Sequence, residues 1–128
     1  TWMIVGIGTD IVDVRRIQRS LTRFGERFTD KVLCAGERRS FTGSRLAAYL
    51  ARQFSAKEAV SKALGTGMRG GVHFRNIEID RKESGAPQVR LTGEAKSRAE
   101  ELGISDIYIS MSDERDYAIA YVIATNGV

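Results

Sequence analysis

From residue 11 to residue 28 the apolar side chains Ile11, Val14, Ile17, Leu21, Phe24 and Phe28 return at helical spacing, and Arg15, Arg16, Arg19, Arg23 and Arg27 fall on the other side of the wheel. A segment so divided must pack one face on a core and turn a ridge of guanidinium groups outward. Gly25 is the place where such a helix can break. Ahead of it, Ile4-Val5-Gly6-Ile7-Gly8 is short, apolar and β-branched, and reads as a buried strand. Asp10, just after Gly8-Thr9, is then expected to cap the helix.

The rest of the chain supplies what that helix needs to pack against. Residues 29–44 read as a short helix and a loop. A long helix is expected from Arg45 to Leu64, with Leu46, Leu50, Phe54, Val60, Ala63 and Leu64 on its apolar side, and Gly65-Thr66-Gly67 closing it. Ile77-Glu78-Ile79 and Gln88-Val89-Arg90-Leu91 flank the turn signal Glu83-Ser84-Gly85-Ala86-Pro87. Glu94 to Leu102 reads as a helix ended by Gly103. Ile107 to Ser112 and Tyr117 to Ala124 read as a strand pair joined through Asp113-Glu114-Arg115-Asp116. This order predicts a single α+β domain spanning residues 1–128, an antiparallel sheet packed on a long central helix. Thr1-Trp2 reads as an added leader, with Met3 as the natural start; the intact mass of the native protein tests that.

Composition narrows the function classes. A chain of 128 residues is long enough for one unstapled core. One cysteine, Cys34, excludes an intrachain disulfide framework and a multi-cysteine zinc site, and fits a reducing, cytoplasmic setting. One histidine, His73, excludes a multi-histidine metal site; it reads as a loop residue, and Cys34 as a packing residue. There is no apolar run long enough to span a membrane. Residues 1–75 hold fourteen Lys/Arg against six Asp/Glu, and residues 76–128 hold six against ten. Arginines outnumber lysines fifteen to five. An arginine-rich first half points to an acidic protein, a phosphorylated ligand or nucleic acid; a plain solvated surface is the alternative.

Three segments carry candidate chemistry. Asp10, at the end of the first strand, is placed to hold a cation if it is more than a cap. In Phe54-Ser55-Ala56-Lys57-Glu58-Ala59-Val60-Ser61-Lys62, Glu58 and Lys62 are either an i,i+4 ion pair or a metal ligand and a phosphate ligand. Glycines beyond Lys62 let a phosphate approach the backbone closely. Gly65-Thr66-Gly67-Met68-Arg69-Gly70 matches G-x-G-x-x-G, but it follows a helix where a dinucleotide fingerprint follows a strand, so a Rossmann reading is rejected. Two carboxylates suit Mg²⁺, which takes one or two of them with substrate phosphates and water.

Ile4 to Asp13 together with Arg16-Ile17 resembles the opening of the holo-acyl-carrier-protein synthases, the small bacterial-type 4′-phosphopantetheinyl transferases. Phe54 to Gly67 is similar to their second signature. Gly85-Ala86-Pro87, and Ser110-Met111-Ser112-Asp113 with Tyr117-Ala118, follow in the order that family has, so the resemblance runs from Met3 to about Ile123. It implies transfer of phosphopantetheine from coenzyme A to a serine of apo-acyl carrier protein, with adenosine 3′,5′-bisphosphate released, in support of fatty acid biosynthesis. It implies Mg²⁺ on Asp10 and Glu58, Lys62 on the pyrophosphate, and coenzyme contacts from Ser61 and the Gly65-Thr66-Gly67 backbone. It implies a grip on the acidic carrier through Arg16, which the ridge extends to Arg19 and Arg23, and a homotrimer with active sites at subunit interfaces. No nucleic acid or membrane is expected.

The acceptor serine belongs to the partner, so this chain needs no nucleophile of its own. Glu58, Asp10 acting through a water, or a bound water remain candidates for the base. Two positions depart from the pattern: Gln53 stands where many members have arginine, with Arg52 one step earlier, and Asp113 stands where many have histidine. Asp113 reads as a hairpin residue or a weak candidate for a base or a coenzyme contact. Two other classes stay in view. An RNA-binding module would want exposed aromatics on a basic sheet, whereas the predicted strands sit mainly in the acidic half. An inactive adaptor would not need Asp10 and Glu58.

Overall fold

The computed structural model describes residues 2–127; Thr1, part of the expected leader, lies outside them. Eleven residues of strand open the fold, β1 (Met3–Asp13), followed by α1 (Val14–Phe24) and α2 (Glu26–Val32). The long helix α3 (Gly43–Ala63) comes next, then a hairpin of β2 (Ile77–Arg81) and β3 (Pro87–Leu91). Helix α4 (Gly93–Glu101) leads to β4 (Ile104–Asp113) and β5 (Tyr117–Asn126). Single 3-10 turns lie at Ala35–Glu37 and Phe74–Asn76.

β1, β5 and β4 form an antiparallel sheet in that order, with β5 central; β2 and β3 form a second, two-stranded sheet. The larger sheet lies along α3. On β5, Ala118, Ala120, Val122 and Ala124 are buried toward the helix, and Ala56, Ala59, Val60 and Ala63 answer from α3. Small residues on both sides keep helix and sheet close. A second cluster joins Ile17 of α1 and Val32 of α2 to Tyr49, Leu50 and Ala51 of α3. Fully buried side chains such as Leu50 and Leu64 contribute about 1.5–3 kcal/mol each. The expected α+β class, with an antiparallel sheet on a long central helix, is what the structure has.

The boundary between β1 and α1 differs from the sequence reading. β1 does not stop at Gly8: it stays paired with β5 as far as Asp13, opposite Tyr117. Asp10 is therefore a strand residue and caps nothing. Asp13 is the cap, its carboxylate accepting the Arg15 amide at 2.9 Å. Ile11 belongs to the strand and is exposed on the sheet's far side. The helical spacing included it because alternate strand positions and the next helical turn coincide at that point. Gly25, at φ 58°, does break the helix. Phe24 just before it is 43% exposed, not core, with the guanidinium groups of Arg23 and Arg27 at 5.0 and 6.0 Å from its ring.

Candidate active site

Glycines set the site. Gly6 and Gly8 alternate on the face of β1 that meets α3, and a Cβ at either would overlap a helix carbonyl oxygen, that of Ala63 or of Ala59. Strand and helix backbones therefore touch, as a glycine inside a strand often permits. Two residues past Gly8, this close approach delivers Asp10 to the side of α3 that carries Glu58 and Lys62.

Lys62 reaches across to β1, donating to Thr9 O at 2.9 Å and to Asp10 Oδ1 at 3.2 Å. It does not pair with Glu58, as four-residue spacing alone would favour. Burial pushes the Asp10 carboxyl up from its ordinary pKa, while Lys62 and then Arg16 pull the other way. Glu58 is also raised, first by burial and then by the negative charge of Asp10, with Lys62 and Arg16 opposing. So the structure brings together two half-buried carboxylates that repel each other, and two cations beside them. This donor set fits a hard divalent cation, because a bound cation removes the cost of holding both carboxylates charged.

Arg16, on the first helix, lies over the Phe54 ring at 5.7 Å. Both residues line a cavity of about 500 Å³ with Phe24, Phe28, Phe74 and Glu58, and with Ser20, Arg27 and Lys31 around it. Arg16 thus stands beside the carboxylates as well as on the outward ridge. Arg19 and Arg23 are exposed farther along α1.

The segment expected to contact the coenzyme closes the end of α3. Ser61 is wholly buried, its hydroxyl donating to Glu58 O at 2.7 Å. The Gly65 amide donates to Lys62 O, and the Thr66 and Gly67 amides both donate to Ser61 O. These amides close the helix end and are occupied. Thr66 Oγ1 is the exception, buried without a hydrogen-bond partner among the described residues. Asp113 ends β4 and lies 3.6 Å from Arg52. His73 is exposed, and Cys34 Sγ donates to Arg75 O at 3.3 Å.

One cluster was not read from the sequence. Lys57, beside Glu58 on α3, is fully buried with its ammonium 2.6 Å from Glu37 Oε1, and it donates also to Val32 O and Phe74 O. Glu37 accepts further bonds from the amides of Cys34 and Ile79 and from the side chain of Gln53. Gln53 is thus an interior residue, donating also to Ile79 O at 3.0 Å. In the sequence Gln53 stands out only as a departure from the family pattern, and nothing in the spacing ties it to Glu37 or Lys57.

An α+β domain with paired carboxylates and a lysine at a strand–helix contact has the donor set of a metal-assisted phosphoryl-group transferase. The chain belongs to the 4′-phosphopantetheinyl transferase superfamily, whose family model matches residues 6–122; it is a phosphopantetheinyl transferase. A holo-[acyl-carrier-protein] synthase of Halorhodospira halophila is 51% identical over 126 residues, covering 98% of this chain and 100% of that one. An acyl carrier protein synthase of Plasmodium yoelii solved with ADP bound is similar in structure, with a TM-score of 0.90, 36% identity, and coverage of 100% and 99%. A holo-(acyl-carrier-protein) synthase of Bacillus anthracis in complex with CoA (3′,5′-ADP) gives a TM-score of 0.81, 33% identity, and coverage of 98% and 99%.

Proposed function

We propose that this enzyme moves the 4′-phosphopantetheinyl group of coenzyme A onto a serine hydroxyl of apo-acyl carrier protein. The serine oxygen bonds to the phosphorus that carries the pantetheine, and the bond from that phosphorus to the bridging oxygen breaks. Adenosine 3′,5′-bisphosphate leaves with the bridging oxygen, and the serine proton passes to a base, for which Glu58, Asp10 acting through a water, or a bound water are the candidates. The observation that carries this reading is the meeting of Asp10 from β1 with Glu58 and Lys62 from α3. Asp10 and Glu58 would hold Mg²⁺, and a bound cation supplies charge neutralisation on the pyrophosphate oxygens. Lys62 stabilises the negative charge that grows on the departing phosphate. Thr66 Oγ1, lacking a partner, is the member of the glycine segment best suited to accept or donate a bond to the coenzyme.

Arg16, Arg19 and Arg23 dock the carrier, which is acidic around its modified serine. Reversing Arg16 to Glu is expected to raise the KM for the carrier more than the KM for coenzyme A; an unchanged carrier KM would count against this role. The enzyme serves fatty acid biosynthesis in the cytoplasm. In support, no helix among the described residues is long and apolar enough to cross a membrane, and a single free thiol suits a reducing setting. It acts as a homotrimer with active sites between subunits. The support here is the sheet face turned away from α3, where Ile7, Ile11, Tyr108, Ile119 and Tyr121 are all exposed. A continuous apolar surface of this kind marks an interface.

The deciding experiment is to combine the protein with coenzyme A, apo-acyl carrier protein and Mg²⁺ and weigh the carrier. A mass gain of one phosphopantetheinyl group is expected. It should vanish with EDTA, with Asp10→Ala and with Glu58→Ala. No gain on a competent carrier would overturn the reading.

A further inference from the structure

Lys62 spends its ammonium on the very carboxylate that the proposed cation needs. Both of its hydrogen bonds go to β1, to Thr9 O and Asp10 Oδ1, across 53 and 52 positions of sequence. Glu58, one turn back on the same helix, forms no ion pair with it. The Asp10 side chain is 15% exposed and that of Lys62 is 50% exposed. So the carboxylate is fixed, while the lysine, at the last turn of α3, has open space to swing into.

We infer that Lys62 is the occupant of Asp10 in the free enzyme, and that a divalent cation reaches Asp10 only by displacing it. This rests on Asp10 and Glu58 being the cation site. A cation held by Asp10 would repel an ammonium 3.2 Å from its Oδ1 and draw on the same carboxylate charge. An incoming pyrophosphate gives the displaced ammonium somewhere better to go. Metal and coenzyme therefore assist each other through one side chain. Each pulls in the direction that frees the other's ligand, and such coupling is reciprocal. In the absence of coenzyme, Lys62 holds the cation site weak. The same residue thus has two partners in succession, Asp10 before the substrate arrives and the leaving phosphate after.

The test is binding of Mn²⁺ to the coenzyme-free protein, read from the electron paramagnetic resonance signal of the unbound ion. Removing an ion pair as exposed as this one is expected to tighten Mn²⁺ binding about two- to fivefold in Lys62→Met. Lys62→Arg, which keeps the cation, should bind as the native protein does. Asp10→Ala should abolish binding, and circular dichroism should show all variants folded. Equal or weaker binding by Lys62→Met, with binding still lost in Asp10→Ala, would overturn the role of Lys62 and leave the cation site standing. Binding that survives Asp10→Ala would overturn both.

Discussion

At Gly8 the absence of a side chain decides the position of Asp10. A methyl there would overlap Ala59 O, which is helix backbone and cannot turn aside. Gly8→Ala is expected to cost about 1–3 kcal/mol, the usual penalty of overpacking, and to lower kcat by moving Asp10 away from Glu58. Denaturant unfolding together with the carrier-mass assay checks both effects. Glu58 carries a different tension. Its carboxyl is raised above the ordinary range by burial and by Asp10, so protonation is favoured more in the folded state than in the unfolded one. The stability it contributes is full at low pH and is lost as pH climbs from the unfolded value through the raised folded one. Glu58→Gln is therefore expected to raise the thermal midpoint in EDTA at neutral pH, and to lose that advantage below the ordinary carboxylate range; melting curves across pH read it. The resemblance groups Asp10, Glu58 and Lys62 in one site, but the backbone contact that joins them and the tension between the carboxyls were not legible in the sequence. The spacing of Glu58 and Lys62 favoured a pair within α3, and only the approach of β1, fixed by two glycines, turned Lys62 to Asp10.

Elements were more legible than their joints. The turn signal through Gly85 and Pro87 gave the β2–β3 hairpin, and Pro87 is the first residue of β3. The long apolar side of α3 was readable within two residues at its start. The passage from β1 to α1 was not, because Ile11 satisfies the spacing of both elements and only pairing with Ile119 assigns it to the strand. What fastens α2, the turn at Ala35–Glu37, the turn at Phe74–Asn76 and β2 onto α3 is the Lys57–Glu37 pair with Gln53. Ion pairs twenty positions apart leave no periodic trace. Both side chains are fully buried, so removing one partner strands a charge. Lys57→Met is expected to destabilise by about 3–5 kcal/mol, and the double change Lys57→Met with Glu37→Leu to recover much of the loss. Chemical denaturation of the three variants measures it. Because Phe74 and Phe54 line the cavity beside Glu58, with their rings 5.0 Å apart, the single variant should also raise KM.

At the scale of the whole molecule, the sheet has two unlike faces. The one on α3 carries the small side chains of β5 with Ile107, Ile109 and Met111 of β4; the other presents isoleucine and tyrosine to the outside. The runs of β1 and β5 are apolar on both faces, so the sequence marks the strands without saying which face stays uncovered. Ile119→Asp is expected to leave the fold intact and to dissociate the proposed trimer, with activity falling in step. Light scattering and the mass assay, run at matched concentration, would reveal it. A trimer of full activity from this variant would move the interface elsewhere.

The order of the sheet also bears on how the protein comes into being. Among the described residues, β1 lies at an edge of its sheet and pairs with β5, the strand farthest from it in sequence. Met3 opposes Asn126 and Asp10 opposes Ala120, so β1 can meet α3 early but has no strand partner until β5 is synthesised. Helices α1 and α3 can begin to form during translation, but the pairing that fixes Asp10 in the sheet waits for β5. A nascent chain stalled before β5 would therefore carry Asp10, Glu58 and Lys62 without the sheet that holds Asp10 against the helix.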